Sequence, residues 1–272
     1  MKHFDFNIHI PCGDSELESR WKDETSMTGK EFEKCYKNYI TDLEELCFGG
    51  NFMILNHKLN ADELGSLVET IKSSSLRSCV TVMIDHRDPG WKQRLSDLYA
   101  AGVSAIKFHC YIQKITDQEI SECVEISKNA QSLGMMVMID TSYGSFDMYQ
   151  YDNLKLASAV AKQVAEVPII LLHSGGARCI EAMLLADCSQ NIYLETSFSL
   201  PYYIGSSVER DLAFVYKKLG SERIVYGSDF PYINQKESIN TFLDFARKWD
   251  FSDTEINNIL TKSASRVLEI GA

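Results

Sequence analysis

The histidines of this chain occupy regular places relative to its apolar segments. Five of the six histidines lie at the end of a short apolar run or just after one, where a β-strand would finish. These five are His9, His57, His86, His109 and His173. Imidazole binds metal ions and exchanges protons near neutral pH. Histidines gathered at one end of successive strands would therefore form a pocket suited to metal binding or proton transfer.

The elements that would position these histidines are short apolar runs that alternate with longer amphipathic segments. Strands buried on both faces and separated by helices are typical of a parallel sheet. Eight such units in 272 residues match a closed barrel in size. We predict an α/β fold, a (β/α)8 TIM barrel, as a single domain over residues 1–272 with closing helices at the C-terminus. The predicted strands are 4–10, 52–56, 79–85, 104–109, 135–140, 168–173, 192–197 and 223–229.

Helix boundaries are also visible in the sequence. Thr116 with Glu119, and Ser252 with Glu255, fit the reciprocal capping box that starts a helix. Three glycines stand where helices should end before the next strand, namely Gly102, Gly134 and Gly220. An open doubly wound sheet is the alternative fold. Because no Gly-x-Gly-x-x-Gly follows the first strand, we expect no nucleotide cofactor.

A barrel would bring the polar residues of its strand ends together. Catalytic residues of TIM barrels lie at the carboxyl ends of the strands. Besides the histidines, the predicted strand ends carry Asn7, Asp85, Lys107, Asp140, Glu195 and Asp229. The longer loops 11–27, with Trp21, and 141–152 and 198–207, both rich in tyrosine, would cover this end of the barrel.

The composition excludes several classes of partner. The net charge is −11, with 45% hydrophobic and 24% charged residues, and no basic segment is present. Nucleic acid and anionic membrane are therefore not expected as partners, whereas a small-molecule substrate is. The eight cysteines form no Cys-x-x-Cys pair, and no segment has the length of a membrane span or the pattern of a signal peptide. We expect reduced thiols and a cytoplasmic location.

Two segments are the most specific in the chain. RIVYGSDFP (223–231) places Asp229 at a strand end before a proline, and PIILLHSGG (168–176) places His173 before a glycine turn. Taken alone, Asp229 could equally cap the following turn and His173 could be a buried histidine bonded to backbone. The other segments that share a pattern with a known family are DFNIHI (5–10), GVSAIKFH (102–109), MVMIDTS (136–142) and NILTKSASRVL (258–268). In this order the segments resemble the amidohydrolase superfamily, specifically its amidohydrolase-related branch of decarboxylases and lactone hydrolases.

The resemblance covers most of the chain but departs at the metal ligands. In that family two first-strand histidines, a fifth-strand histidine and the eighth-strand aspartate commonly hold a divalent metal. Here Asn7 and Asp140 replace two of the histidines, Ser263 stands where an asparagine is usual, and His9 and Asp229 are kept. A site of Asn7, His9, Asp140 and Asp229 is richer in oxygen than a typical zinc site. The resemblance leaves two readings open: Zn, Mn or Mg held at this set, or a pocket that works without metal.

The resemblance also implies catalytic roles. Asp229 would act as general base, and His173 would shuttle a proton or polarise the substrate oxygen. Arginine receives a carboxylate through two parallel hydrogen bonds, so Arg178 is a candidate for substrate binding. The other candidates are Lys107, His109 and Tyr143. For Lys107 a structural ion pair with a barrel carboxylate is the alternative.

Three functions follow from these observations. The first is hydrolysis of a small carboxylated lactone or ester. The second is metal-dependent, non-oxidative decarboxylation of an aromatic or unsaturated acid. The third is a catalytically inactive barrel that binds a small molecule. A homodimer is left open, because exposed barrel helices commonly support one.

Overall fold

The computed structural model describes residues 2–10, 24–143 and 146–270. All eight predicted strands are present, and they lie side by side in chain order in one parallel sheet. The predicted single-domain (β/α)8 barrel is confirmed. The strands are β1 His3–His9, β2 Cys47–Ile54, β3 Arg77–Met83, β4 Ala105–Phe108, β5 Met136–Asp140, β6 Ile169–Leu172, β7 Ile192–Glu195 and β8 Ile224–Val225.

The barrel closes between its first and last strands. Ile8 forms a parallel bridge with Phe230, and the Asp229 N–H donates to the Asn7 carbonyl at 2.9 Å. The regular part of β8 ends at Val225, four residues before the predicted end at 229. The backbone turns instead, with Asp229 at a φ of 62°.

Side chains fill both the inside of the barrel and the layer between strands and helices. Strand β2 begins at Cys47 rather than at residue 52, where the sequence predicts it. Its early part contains Gly49, where an added Cβ would lie 2.5 Å from the Arg77 carbonyl oxygen and 2.6 Å from the Phe4 ring. The glycine therefore lets β1, β2 and β3 approach closely at their start.

Helices connect the strands and cover the barrel. The longer helices are α1 Gly29–Leu46, α2 Ala61–Lys72, α3 Trp91–Ala100, α5 Ile120–Ser132, α6 Asn153–Ala161, α7 Cys179–Asp187, α9 Ser207–Leu219, α10 Gln235–Lys248 and α12 Ser263–Ile270. The shorter ones are α4 Cys110–Gln113, α8 Ser199–Tyr203 and α11 Asp253–Asn257, with 3-10 turns at Phe146–Tyr149, His173–Arg178 and Ser221–Arg223. Helix α8 lies inside the segment 198–207 that the sequence predicts as a loop.

The predicted helix signals have mixed outcomes. The capping box of Ser252 and Glu255 is formed at α11, and all three predicted glycines have positive φ. Thr116 does bond the Glu119 carboxylate through its N–H at 2.8 Å. Its helix α5 nevertheless begins only at Ile120, so the predicted start at Thr116 is wrong. The chain turns once before the helix forms.

The C-terminal segment closes the barrel as predicted. It forms α11, a π-helical turn Asn258–Lys262 and α12, and Ala264 and Val267 pack into the barrel interior. No helix within the described ranges is long and apolar enough to cross a membrane. The seven cysteines that the structure describes are free thiols. Cys12, Trp21 and most of the predicted loop 11–27 lie outside the described residues.

Candidate active site

An irregularity in β1 delivers Asn7 to the carboxyl end of the barrel. The pairing register between β1 and β2 shifts between Asp5 and Ile8. Within this irregular stretch, the Asn7 side-chain amide donates to Ser197 Oγ at 2.9 Å and to Asp229 Oδ1 at 3.2 Å. Asn7 therefore connects the end of β1 with the segments that follow β7 and β8.

A buried carboxylate fixes this irregularity. Asp5 Oδ1 accepts the backbone N–H of Asn7 at 3.2 Å and that of Ser228 at 2.9 Å. Its Oδ2 accepts the side-chain amide of Gln235 at 3.2 Å. Burial raises the pKa of Asp5 to about 7, although these hydrogen bonds act in the opposite direction. Asp5 thus ties the residue before Asp229 to the bend in β1.

Asp229 stands at the turn that ends β8. Its left-handed φ of 62° is uncommon for a residue with a side chain, although aspartate adopts it more readily than most. The side chain is 8% exposed. Its Oδ1 accepts the Asn7 amide and lies 3.7 Å from His9 Nε2. The turn therefore presents the carboxylate to the barrel mouth next to an imidazole.

The Nδ1 atom of His9 contacts Glu24, a residue that the sequence did not reveal. His9 Nδ1 lies 2.9 Å from Glu24 Oε1 and 3.0 Å from Glu24 Oε2, and both side chains are buried. The Tyr232 hydroxyl donates to the same carboxylate at 3.3 Å. A carboxylate on Nδ1 orients the ring so that Nε2 faces Asp229. Glu24 falls in the predicted loop 11–27, and no local pattern marks it.

His173 sits in a tight turn after β6. Its φ is 66° and that of Ser174 is 51°, and Gly175 follows at 82°. The His173 N–H donates to Glu195 Oε2 at 3.1 Å, and its Nδ1 lies 3.0 Å from Ser197 Oγ. Since Ser197 also bonds Asn7, this hydroxyl connects the His173 turn with the side chains around Asp229.

Glu195 supports this turn from beneath. It is fully buried, and its carboxylate also accepts the N–H of Ser197 at 2.6 Å and the hydroxyl of Ser197 at 2.7 Å. Burial raises the pKa of Glu195, and the nearby His173 opposes that rise. A Cβ at Gly227 would lie 2.0 Å from Glu195 Oε1, so a glycine is needed there.

Three basic side chains converge on Asp140. Its Oδ2 lies 3.2 Å from His173 Nε2, 3.4 Å from His109 Nε2 and 3.5 Å from Lys107 Nζ. All four side chains are buried. The other oxygen, Oδ1, accepts the Ser142 hydroxyl at 2.6 Å. The carboxylate is therefore the common partner of Lys107, His109 and His173.

The charges in this group follow from burial and from Asp140. Burial acts against ionisation of Asp140, but His109, His173 and Lys107 together lower its pKa well below the ordinary value. Burial likewise opposes the charge on His173, yet Asp140 raises the pKa of His173 to about 9. For His109 burial dominates and lowers its pKa to about 4. At neutral pH the group thus contains a carboxylate, a protonated His173 and a neutral His109.

Arg178 and Tyr143 lie together at the rim rather than beside Asp140. The Arg178 guanidinium binds Asp152 at 3.0 Å and Glu181 at 2.6 Å, and it lies over the Tyr143 ring at 5.3 Å. A cavity of about 460 Å³ adjoins them. Its walls are Tyr143, Met148, Tyr149, Ala177, Arg178, Tyr202 and Tyr203. Asp152 and Glu181 already pair with the Arg178 guanidinium. The role of Arg178 in substrate binding stays a prediction.

The remaining strand-end histidines pair with other carboxylates. His57 Nε2 lies 3.7 Å from Asp85 Oδ2, and His86 Nε2 lies 3.5 Å from Glu119 Oε1. His9, His109 and His173 are therefore the histidines that contact the predicted carboxylates Asp140 and Asp229.

A comparison with known families identifies the family of this chain. A family model described as amidohydrolase matches residues 81–270. The chain belongs to the amidohydrolase family. It is therefore an enzyme of the hydrolase kind, in the branch that the strand-end motifs predict. No curated protein sequence matches the chain significantly.

Solved structures share the fold of this amidohydrolase over its full length. An uncharacterized TIM-barrel protein from Bordetella bronchiseptica has a TM-score of 0.75 at 13% identity, with 100% of this chain and 99% of that one covered. A protein named as 2-pyrone-4,6-dicarboxylic acid hydrolase from Acinetobacter baumannii, with citric acid bound, has a TM-score of 0.68 at 15% identity, covering 99% and 100%. A protein of the same name from Pseudomonas putida has a TM-score of 0.66 at 15% identity, covering 99% and 98%.

Members of this superfamily usually depend on a metal, so the fit of the predicted ligands matters. Asn7 Oδ1 is buried without a partner, and His9 and Asp229 face each other nearby. Within the described ranges, however, no three histidine or acidic side chains of the predicted set bring ligand atoms within 4.8 Å of one another. Asp140 instead faces Lys107 and the protonated His173. These residues do not fit a closed zinc site, which needs four converging ligands.

Proposed function

We propose that this amidohydrolase hydrolyses a small carboxylated lactone or ester with its own acidic and basic side chains. The proposal is supported above all by a carboxylate and a cationic histidine that lie at the same mouth of the barrel. Asp229 is a carboxylate next to His9, and His173 is a cation held by Asp140. Ser197 bonds to both His173 and Asn7, and Asn7 contacts Asp229. A base and a cationic group connected through the Ser197 hydroxyl and the Asn7 amide are suited to acyl transfer to water.

The first step uses Asp229. Its carboxylate takes a proton from water, and the oxygen of that water forms a bond to the substrate carbonyl carbon. His9, oriented by Glu24, sits beside the carboxylate and helps to place the water. General base catalysis of this kind contributes about 10²–10⁴ in rate.

The second role belongs to His173. As the carbonyl bond opens, negative charge develops on its oxygen, and a positive charge near that oxygen stabilises the transition state. Asp140 keeps His173 protonated at neutral pH, which favours the role of electrophile over that of shuttle. When the ring or ester C–O bond breaks, protonated Asp229 returns its proton to the leaving oxygen. The carboxylate of Asp229 is thereby restored.

The substrate class is supported by the basic lining and by the structural relatives. Lys107 and His109 line the same cluster, where Lys107 carries the positive charge that a substrate carboxylate needs. Two structurally similar proteins are named as hydrolases of a dicarboxylated pyrone, one with citric acid bound. Tyr143 and Arg178 would contact the outer part of the substrate, next to the aromatic cavity. A small lactone or ester with at least one carboxylate is therefore the proposed substrate.

The test is the substitution Asp229→Asn, assayed on small lactones and esters with and without a carboxylate. The amide cannot take the proton, so kcat/KM should fall by about 10²–10⁴. Asp244→Asn is the matched control, because Asp244 is exposed on α10, where it pairs with Arg247. The control should keep wild-type activity. Full turnover in Asp229→Asn, with an unchanged circular dichroism spectrum, would refute the assignment.

A further inference from the structure

A second group of ligand-type side chains lies at the opposite end of the barrel from Asp229. His3 is the first residue of β1 and Cys47 the first residue of β2, and the two are register partners. Cys47 Sγ lies 3.4 Å from His3 Nε2. The carboxylate of Asp5 completes a set whose ligand atoms all lie within 4.8 Å of one another. All three side chains are at most 1% exposed.

This set has the dimensions of a small metal centre. Ligand atoms of a tetrahedral zinc site stand roughly 3.3–3.8 Å apart, given bonds of about 2.0–2.3 Å. The distance between Cys47 Sγ and His3 Nε2 already falls in that range. A modest inward movement of the Asp5 carboxylate would bring the third ligand to the same separation. Asp5 Oδ2 has two lone pairs and accepts the Gln235 amide with one of them, so the other is available to an ion.

A fourth side chain lies near this set. Tyr39 of α1 is only 9% exposed, and burial, followed by the nearby Asp5 and Cys47, raises the pKa of its hydroxyl. Its hydroxyl makes no hydrogen bond of ordinary geometry, although the Gln235 amide is near it. A buried hydroxyl without a hydrogen-bond partner destabilises the folded chain. Coordination of an ion would remove that destabilisation.

We propose that His3, Asp5 and Cys47 bind a zinc ion, with the Tyr39 hydroxyl as fourth ligand. Sulfur, imidazole and carboxylate are ligands that Zn²⁺ accepts together. The site is also electrically balanced, because the thiolate and the carboxylate neutralise the two charges of the ion. The ion would join β1, β2 and α1, and it would do so through Asp5, which positions Asn7 and Ser228. Its role is therefore structural, separate from the proposed hydrolysis.

Cobalt(II) is the probe, because a thiolate ligand gives it a charge-transfer band in the near ultraviolet. The full chain is stripped of metal and titrated with Co²⁺, and one equivalent should produce the band. Cys47→Ala should abolish it. Two control variants should keep the band. Cys123→Ala removes a thiol that is equally buried but lies in α5. Cys12→Ala removes the thiol that follows His9 closely in sequence, so it tests for an ion bound near His9 instead. The band's absence in wild type, or its survival in Cys47→Ala, would overturn the proposal.

A second measurement does not depend on the cysteine variant folding. Wild-type protein grown with zinc and dialysed should release one zinc per chain on denaturation, and so should Asp229→Asn. His3→Gln should release none. Zinc at a hundredfold excess over Kd should raise the Tm of wild type by about 5–10 °C and leave that of His3→Gln unchanged. Zinc release that is lost in Asp229→Asn and kept in His3→Gln would place the metal at the other end of the barrel and refute the proposal.

Discussion

Replacing Asp140 with asparagine tests how the charge of His173 is set. In the wild-type chain Asp140 lies 3.2 Å from His173 Nε2 and raises its pKa to about 9, against the effect of burial. Asparagine keeps the size of the side chain and removes its charge. Burial disfavours the protonated form of a histidine, and only the smaller effects of Asp229 and Glu195 then remain to oppose it. The pKa of His173 in Asp140→Asn should therefore fall from about 9 toward the ordinary value of 6.5.

The size of the effect follows from the two pKa values. At pH 8 a histidine with a pKa of about 9 is about 90% protonated, whereas one with a pKa of 6.5 is about 3% protonated. If the protonated form is the active one, kcat/KM at pH 8 should fall by up to about 30-fold in Asp140→Asn. The alkaline limb of the pH profile should move from near pH 9 toward pH 6.5.

Stability gives a second readout with a defined sign. The pKa of His173 is higher in the folded chain than in the unfolded one, so the folded chain binds this proton more tightly. The resulting stabilisation is complete below pH 6.5 and is lost as the pH rises through about 9. It corresponds to about 3 kcal/mol of unfolding free energy. Denaturant unfolding should show this loss in wild type and in Asp244→Asn, and not in Asp140→Asn.

The refuting result is an unchanged alkaline limb. If Asp140→Asn and wild type lose kcat/KM at the same pH, the group that titrates is not His173, and the role of electrophile fails. An equal loss at every pH would have the same consequence, because it would mean that Asp140 acts only through packing.

Two further substitutions test parts of the site that the sequence did not reveal. Glu24→Gln should lower kcat about tenfold with little change in KM, because His9 loses the carboxylate that orients it; an unchanged kcat in steady-state assays would contradict this. Gly227→Ala should lower the unfolding free energy by about 1–3 kcal/mol, since the new Cβ would lie 2.0 Å from Glu195 Oε1. Gly65→Ala is the matched control: it has open space around it in α2 and should raise stability by about 0.5–1 kcal/mol in the same denaturant titration.

The sequence predicted the barrel because its signals are local. Runs of apolar residues and the helix faces between them have periods that can be counted, and all eight strands occur near the predicted ranges. The starts of two elements were predicted wrongly, because contacts between distant parts of the chain determine them. Strand β2 starts early because Gly49 packs under Phe4, and the helix after Thr116 is delayed by a turn at the end of the connecting loop.

The site was predictable only to the level of which strand ends carry polar residues. Asp140, His173 and Asp229 were found by their place after apolar runs. Their partners were not, since the contact of His9 with Glu24 depends on how a long loop returns to the barrel. The register shift in β1 is also invisible in sequence, because it is fixed by the contact of Asp5 with Ser228, 223 residues away.

The aspartate at position 140 accounts for the basic side chains that surround it. The strand-end pattern resembles a family whose fifth-strand residue is a neutral histidine that donates to a metal cation. An aspartate there brings a negative charge, which in a buried site must be matched by positive charge nearby. Lys107 and protonated His173 provide that charge at 3.5 and 3.2 Å. In the proposed mechanism these cations stabilise the developing oxyanion, so an aspartate at position 140, in place of the histidine ligand, would assemble the side chains for the electrostatic part of the reaction.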